Sequence, residues 1–315
     1  MTVSVNTNIS GLTAADKAGI MSVIADVFKR SGAKHEAFPF DMELWAGCMK
    51  ECRERAFPVE PQDIPGKVTF RRSLKVGVVI AQTSYRHLAD FHTRVWIAMF
   101  TGLVTYADDV FQKDIRHLQS FPSTFVTNGR HENPVLDALA SYLREVPARF
   151  GDFVANLVIS SCLRFMMSAS LEFDGQDVAV SSDAKEYAHH VRLLSGLPDI
   201  YAIFVFPPKI PRSAYIQAFP EQMEYINMTN DVLSFYKEEL EGETSNFISA
   251  TATSQNSSKL EILRVTAEKA IACHEATLKI LEPCPEASAA WKSFASGFCA
   301  FHSASPRYKL DELLN

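Results

Sequence analysis

The segment NDVLSFYKEE, which runs from Asn230 to Glu239, places three oxygen-bearing side chains at intervals of four residues. On an α-helix, residues four apart lie ~40° from each other around the axis, so Asn230, Ser234 and Glu238 form a column along one face. A hard divalent cation such as Mg²⁺ prefers oxygen ligands and usually completes its shell with water or substrate phosphate oxygens. Lys237 can reach the same anion as a point charge. The same spacing is also typical of the polar face of an amphipathic helix, so both interpretations stay open here.

The rest of the chain shows helical periodicity too, because apolar residues recur at three- and four-residue spacing with Ser, Asp or Pro near several starts. The predicted segments are Ala14–Lys29, Asp41–Arg55, Leu74–Phe111, Pro134–Arg149, Asp152–Phe173, Asp183–Val205, Ser213–Glu239, Ser257–Leu281 and Ser288–Ser303. The Leu74–Phe111 block is too long for one helix. The β-rich runs VGVVI and IYAIFVF are flanked by helical pattern, and no Asn-Gly hairpin accompanies them. The sequence therefore predicts an all-α fold.

Composition narrows the class of protein. With 47% hydrophobic and 22% charged residues, the chain can bury a large core. No linker rich in Gly, Ser or Pro divides it, so residues 1–315 are predicted to form one domain. A net charge of -6 without a Lys/Arg cluster argues against a nucleic-acid partner. The sequence also contains neither a Gly-rich phosphate loop nor a Gly-x-Ser-x-Gly elbow, which excludes the nucleotide-binding and triad-hydrolase motifs.

The cellular setting is predicted from the N-terminus and the cysteines. The start, MTVSVNTNISGLTAAD, lacks the basic and apolar regions of a secretory signal. The longest apolar stretch, Val95–Tyr106, is too short to span a bilayer, so no stable membrane insertion is expected. The six cysteines show no paired zinc spacing and are expected to be free thiols in a reducing compartment. These features predict a cytoplasmic protein.

A second acidic motif, TYADDVFQKD, occupies Thr105–Asp114 at the end of an apolar run. Its two adjacent aspartates suggest a metal motif, but Gln112 stands where a third carboxylate is expected. If the helix continues, Gln112 lies ~40° from Asp108 on the same face, whereas Asp114 lies ~120° away. Asp108 is therefore the expected main metal ligand of this motif, and Asp114 is expected to be an N-cap or turn residue.

Together, these motifs resemble those of class I terpene synthases. NDVLSFYKE is similar to that family's Asn-Asp metal motif, and Asp108-Asp109, about 120 residues upstream, is similar to its aspartate-rich motif. Arg192 in RLLSGLPD takes the place of the diphosphate-sensing arginine, and Arg307-Tyr308 in SPRYKL takes that of the terminal Arg-Tyr pair. With SFYKE, GFCAFH and PRYKLDEL, the chain is most similar to fungal sesquiterpene cyclases of the trichodiene synthase type.

The resemblance implies a helical bundle around a central active-site cavity and a reaction in which an isoprenyl diphosphate, farnesyl diphosphate in particular, ionises and cyclises. It implies three Mg²⁺ ions, for which Mn²⁺ can substitute, and a homodimer. The implied metal ligands are Asp108, Asn230, Ser234 and Glu238. The implied catalytic and diphosphate-binding residues are Asp108, Asp109, Arg192, Lys237, Arg307 and Tyr308. Asp109 is expected to pair with Arg307 and close the site once the diphosphate and metals are bound.

Such a reaction leaves an allylic cation that must be kept from water by apolar and aromatic walls. Phe100, Phe298 and Phe301 are candidate wall residues that would bind substrate, as are Trp96 and Tyr106, although ordinary core packing explains any one of them as well. Two other functions remain open. A chain-elongating isoprenyl diphosphate synthase should carry a second aspartate-rich motif where this chain has Asn230, Ser234 and Glu238. A catalytically inactive all-α binding protein would have lost its metals through Gln112.

Overall fold

The computed structural model describes residues 12–34, 38–111, 115–175, 181 and 183–314, and within these ranges the chain is helical and forms no strand. This confirms the predicted all-α class. The helices are α1 (Ala14–Arg30), α2 (Met42–Glu54), α3 (Phe70–Thr83), α4 (Phe91–Phe111), α5 (Arg116–Val126), α6 (Pro134–Asp174), α7 (Tyr187–Ser195), α8 (Pro198–Ile203), α9 (Phe219–Glu241), α10 (Phe247–Gln255), α11 (Lys259–Leu281), α12 (Pro285–Ala304) and α13 (Asp311–Leu314). Short 3₁₀ turns span Arg212–Ala214, Ile216–Ala218 and Pro306–Tyr308.

Several predicted helices have different bounds in the structure. The Leu74–Phe111 block divides into α3 and α4, as its length required. The two segments predicted on either side of Gly151 are joined in α6, where Gly151 has non-helical angles of φ 78° and ψ 168° and bends the helix. The predicted single helix over Asp183–Val205 is wrong, because Leu197 is left-handed at φ 50° and Pro198 starts a new helix. Helices α5, α10 and α13 were not predicted.

Helix α3 packs closely against two neighbours because glycines lie at the crossings. A Cβ atom on Gly77 would lie 2.0 Å from the carbonyl oxygen of Ala98 in α4, and one on Gly297 in α12 would lie 2.2 Å from that of Thr83. Any larger residue would push the helices apart. The crossing fixes the position of α4, whose last turns carry Asp108 and Asp109.

Helix α9 runs through the interior of the protein. It packs against α8, α11 and α12, and consecutive residues such as Val232 and Leu233 are fully buried. It ends at Gly242, which adopts φ 71°. Because α9 is covered on most sides, its polar column faces a buried part of the molecule instead of bulk water.

Helix α6 is the one helix, within the part of the chain that the structure describes, that is long and apolar enough by composition to cross a membrane. A core helix meets the same criterion, and α6 is interrupted at Gly151 and packs against α4, α5, α7 and α8. The feature is therefore no evidence of a membrane location. All six cysteines are free in the structure, and five of them are buried.

Candidate active site

The C-terminal Arg-Tyr pair lies against the end of α4. Arg307 is on the 3₁₀ turn that follows α12, and its Nη1 donates to both carboxylate oxygens of Asp109, at 2.8 and 3.1 Å. Its Nη2 donates to Asp108 Oδ2 at 3.4 Å. Burial lowers the pKa of the guanidinium, but Asp109 and Asp108 more than offset this and hold the pKa above its usual value. Asp109 and Arg307 are therefore paired in the structure, and the closing of the site by this pair on binding of diphosphate and metals stays a prediction.

Asp108 lies in the last turns of α4, in contact with Arg307. Although 42% of its side chain is accessible, desolvation by the surrounding protein raises its pKa, and Arg307 opposes that shift. The charges of Lys237 and Arg192 also act to lower the pKa. Arg307 thus joins the C-terminal turn to α4, and Arg192 joins α7 to α9.

Arg192 on α7 is fixed from the side of α9. Its Nε lies 2.7 Å from Asp231 Oδ1 in an ion pair, and its Nη2 donates to Asn230 Oδ1 at 3.0 Å and to the carbonyl of Asn227 at 3.3 Å. Gly196 leaves the room for this arrangement, because a Cβ there would lie 2.0 Å from Asn227 Oδ1 and 2.7 Å from Arg192 Nη1. Sequence reasoning did not identify Asp231, Asn227 or Gly196 as supports of this arginine.

The polar column of α9 begins beside Arg192. Asn230 contacts it directly, and Ser234 and Glu238 follow one and two turns later. Ser234 Oγ is buried, and this hydroxyl lies close enough to Glu238 to act on the pKa of its carboxyl group. Burial, with help from nearby Glu243, raises the pKa of Glu238 to about 8, while Ser234 opposes the shift. Lys237 Nζ lies 3.2 Å from Glu241 Oε2, so this lysine is paired with Glu241.

Asn230 has a second partner, which the sequence did not reveal. The Nδ2 of Asn230 lies 3.0 Å from Nε2 of His302 on α12, and Nδ1 of the same ring lies 2.7 Å from the carbonyl oxygen of Phe298. Burial lowers the pKa of His302 to about 3, so the ring is neutral. The only sequence signal was the GFCAFH stretch, which gave the family resemblance but no role for the histidine.

Asp108 raises the pKa of two further carboxyl groups. Burial and then Asp108 raise the pKa of Glu172, on α6, to about 7. Burial also raises the pKa of Glu243, just after α9, with a smaller contribution from Asp108, while Lys237 opposes it. No motif marked either residue, because each is a single acid on an ordinary helix or loop. The surroundings of Asp108 are therefore more acidic than the predicted ligands alone indicate.

Four of the five predicted aromatic residues lie in two buried clusters, and the fifth, Tyr106, is half-buried and accepts a hydrogen bond from Asn133 Nδ2 at 3.4 Å. Phe100 stacks on Trp96 with ring centroids 5.1 Å apart, and Trp96 stacks in turn on Tyr142 at 5.5 Å. Phe298, Phe301 and Tyr308 surround His302, with centroid distances of 4.8, 4.9 and 4.4 Å. Burial raises the pKa of Tyr308, whose hydroxyl is therefore protonated at neutral pH. These contacts show core packing, and a role as cavity wall stays a prediction.

The donor set fits Mg²⁺. No group of three or more His, Cys, Asp and Glu side chains able to hold a metal occurs among the described residues. The predicted ligands are instead carboxylate, amide and hydroxyl oxygens, the hard donors that Mg²⁺ prefers, and the buried hydroxyl of Ser234 is one of them. Such a set would need oxygens from a bound diphosphate to complete the coordination. Gln112 and Asp114 lie outside the described residues, so the predictions about them are untested.

The chain is similar in sequence to known terpene synthases. Residues 58–315 match the family model described as trichodiene synthase (TRI5). The chain is 57% identical over 300 residues to the alpha-cuprenene synthase COP6 of Coprinopsis cinerea, covering 95% of this chain and 91% of that protein. It is 31% identical over 248 residues to the terpene synthase BipA of Cochliobolus sativus, covering 76% of this chain and 75% of that one.

Solved structures show the same fold at low sequence identity. The linalool/nerolidol synthase of Streptomyces clavuligerus superposes with a TM-score of 0.61 at 13% identity, covering 86% of this chain and 98% of that one. A hedycaryol synthase superposes with a TM-score of 0.58 at 16% identity, covering 89% and 96%. These likenesses support the fold, and the sequence matches identify the family. The chain belongs to the trichodiene synthase family of terpene synthases.

Proposed function

We propose that this chain, acting as one catalytic domain, is a Mg²⁺-dependent sesquiterpene cyclase that ionises farnesyl diphosphate, cyclises the carbocation and releases diphosphate. The observation that supports it best is that Arg307 contacts Asp108 and Asp109 of one motif, while Arg192 contacts Asn230 at the head of the oxygen column of the other. A cationic group of this kind next to hard oxygen donors suits a diphosphate bound together with a divalent metal.

Asp108, Asn230, Ser234 and Glu238 would hold the metal, and Glu172 is a further candidate because its pKa responds to Asp108. Three Mg²⁺ ions, or Mn²⁺ in their place, are expected. When bound, Mg²⁺ neutralises charge that develops on the leaving diphosphate.

The protein's own cations bind and orient the diphosphate. The guanidinium group of Arg307 can present two parallel donors to phosphate oxygens, and Lys237 adds a point charge. Arg192 already uses Nε and Nη2 for Asp231, Asn230 and Asn227, so Nη1 is its donor for phosphate. The protonated Tyr308 hydroxyl can donate one more hydrogen bond. When the allylic C–O bond breaks, its electron pair leaves with the diphosphate and the cation stays on the isoprenyl chain. These donors are fixed before the bond breaks, so they stabilise the departing charge without reorganisation.

Walls of the cavity then control the cation. Phe100, Phe298 and Phe301 would present aromatic faces that stabilise positive charge without adding a nucleophile, and they would exclude water. Loss of a proton would end the reaction as a hydrocarbon. The relative at 57% identity is named an alpha-cuprenene synthase, which makes alpha-cuprenene the first compound to look for among the products.

Product analysis tests this proposal against its alternatives. The protein is incubated with Mg²⁺ and, separately, farnesyl diphosphate, geranyl diphosphate, or farnesyl with isopentenyl diphosphate, and both volatile and non-volatile products are identified by mass spectrometry. A cyclic C15 product from farnesyl diphosphate is expected. An elongated diphosphate would instead indicate a chain-elongating synthase, and no turnover of any substrate would indicate an inactive binding protein. Geranyl diphosphate is included because a solved structure of the linalool/nerolidol synthase contains a fluorinated analogue of it.

We also propose that the protein works in the cytoplasm as a homodimer. The homodimer is an expectation of the family resemblance, and the compartment is the one predicted from the sequence. Light scattering on the purified protein measures its mass in solution, and a mass near the 35.1 kDa of one chain would contradict the dimer. Fractionation of the producing cells tests the compartment.

A further inference from the structure

His302 makes the contact that fixes which atom of Asn230 faces the site. The ring is fully buried and lies between Asn230 on one side and the carbonyl of Phe298 on the other, at 3.0 and 2.7 Å. A carbonyl oxygen can only accept, so Nδ1 carries the proton that it receives. In the neutral ring, Nε2 is then an acceptor, and the group opposite it must be a donor. His302 therefore selects the NH₂ group of the Asn230 amide.

The other side of Asn230 selects the same orientation. Arg192 Nη2 can only donate, and it lies 3.0 Å from Oδ1 of Asn230. If the amide were rotated by 180°, its NH₂ group would face the guanidinium and its oxygen would face the lone pair of Nε2, so both contacts would become repulsive. One orientation of the amide satisfies two independent neighbours, and in it Oδ1 still has a lone pair for a cation.

The histidine itself cannot easily turn. Its ring is enclosed by Phe298, Phe301 and Tyr308, and it is anchored to a carbonyl of its own helix four residues earlier. Tyr308 contacts the ring with centroids 4.4 Å apart, so the C-terminal Arg-Tyr pair supports the same histidine. Because α12 holds the ring rigidly, His302 can orient Asn230, the first residue of the α9 column.

We propose that His302 is a positioning residue for metal binding, which holds the Asn230 amide with its oxygen directed to the cation. This inference rests on the proposed function, because it assigns Asn230 Oδ1 as a Mg²⁺ ligand. Groups that orient a ligand from behind typically change metal affinity about 10- to 100-fold when they are removed. A loss of that size is expected here, since a freely rotating amide would present NH₂ to the metal in part of the population.

The test uses His302→Phe, which keeps the aromatic packing and removes the acceptor. Binding of Mg²⁺ together with inorganic diphosphate is measured by calorimetry, and the melting temperature is measured without ligands. The matched control is His274→Phe on α11, another buried histidine, which packs against Tyr225 and Trp291 away from the site. We expect roughly 10-fold or greater loss of Mg²⁺ affinity in His302→Phe and wild-type affinity in the control.

A second background separates orientation from packing. Asn230→Asp presents an oxygen whichever way the side chain faces, so it no longer needs a group to orient it. In that background His302→Phe should leave Mg²⁺ affinity unchanged within about twofold. An equal loss in both backgrounds, or wild-type affinity of His302→Phe in the native background, would overturn the inference.

Two outcomes concern folding and the proposed function. If His302→Phe does not fold, His302→Gln replaces it, because the Gln amide oxygen can still accept from Asn230. That variant should keep Mg²⁺ affinity within about threefold of wild type. A folded His302→Gln protein that loses Mg²⁺ affinity roughly 10-fold or more, as expected when the acceptor is removed, would also contradict the inference. If the wild-type protein itself fails to bind Mg²⁺ with diphosphate, the proposed function fails, which is a distinct result.

Discussion

Arg307 donates hydrogen bonds to both carboxylate oxygens of Asp109, at 2.8 and 3.1 Å, across 198 residues of sequence. This contact ties the C-terminal turn to the end of α4. Under the proposed function, the same guanidinium also binds the substrate diphosphate.

Replacing Arg307 with Lys tests the role of the guanidinium fork. The charge is retained, but an ammonium group cannot donate two parallel hydrogen bonds to one carboxylate or phosphate. A charge-assisted hydrogen bond contributes about 1.5–3 kcal/mol, so kcat/KM should fall about 10- to 100-fold. Steady-state kinetics with farnesyl diphosphate measures this. Arg30→Lys, on α1 and paired with Glu268 at the surface, is the control and should be unchanged.

Three aspartates near the end of α4 should differ in their effects. Asp108→Asn should nearly abolish turnover, because Asp108 is the expected main metal ligand of its motif and also accepts a hydrogen bond from Arg307. Asp109→Asn should reduce turnover only partly. Asp109 binds Arg307 directly, and its expected effect on the metal is indirect. Asp114→Asn should stay within a small factor of wild type, as expected from helical phase. A Mg²⁺ titration of each variant decides the matter, and an equal rise in Mg²⁺ requirement for Asp114→Asn and Asp108→Asn would contradict the phase argument.

The pH dependence of stability follows from Glu238. Its folded pKa of about 8 lies above the usual value of 4.5, so between these values the folded state keeps a proton that the unfolded state has lost. Without metal, the free energy of unfolding should therefore fall as pH rises through this window. Glu238→Gln should be more stable than wild type at pH 8 and lose part of this slope. Melting temperatures in chelator at pH 6 and 8 test it, and an unchanged slope in Glu238→Gln would contradict the assignment.

The same pKa predicts how metal binding depends on pH. A bound cation must displace the proton of Glu238, so Mg²⁺ affinity should increase as pH rises toward 8 and then level off. Glu239→Gln is the control for both measurements, because Glu239 is paired with Lys259 at 2.6 Å on another face of α9. The control should show the wild-type pH dependence.

Gly196→Ala should impair the site through Arg192. The new methyl group would collide with Asn227 Oδ1 and with the guanidinium, which lie 2.0 and 2.7 Å from its position. Because the arginine must shift, KM for the diphosphate substrate should rise about tenfold or more, in line with the loss of a charged hydrogen bond. Gly297→Ala, whose clash is with α3, is the control: its melting temperature should fall, but its KM, measured well below that temperature, should not. A wild-type KM in Gly196→Ala would show that Arg192 does not need this space.

The sequence predicted the parts of the fold that have strong local periodicity. α1, α2, α11 and α12 were found nearly to their ends, and VGVVI formed part of α3 despite its β-branched residues, because burial of one face outweighs propensity. α5 and α10 were missed since their Ser, Thr and Pro content hides the pattern. The break at Leu197 depends on a left-handed residue that has no local signal other than the following proline.

The candidate site was predictable where motifs mark it and unpredictable where contacts are long-range. Asp108, Arg192 and Arg307 came from motifs, and the structure places Arg307 against Asp108 and Arg192 against Asn230. The contact of His302 with Asn230 spans 72 residues, and no local pattern records which polar atoms meet across such a distance. No motif marks Glu172 either, although Asp108 contributes to its raised pKa. Such residues become visible only once the helices are packed.

The most direct test of the central claim compares Glu238→Ala with Glu239→Ala while Mg²⁺ is titrated and the release of diphosphate from farnesyl diphosphate is measured. The two glutamates are neighbours on α9, but helical geometry places them ~100° apart, and only Glu238 lies on the column with Asn230 and Ser234. The account predicts Mg²⁺-dependent release in wild type and Glu239→Ala. In Glu238→Ala it predicts a loss of at least about 100-fold, the upper end of the range for groups that only orient a metal ligand. Full release by Glu238→Ala, or release in wild type that persists in chelator, would contradict the claim that this column holds the metal.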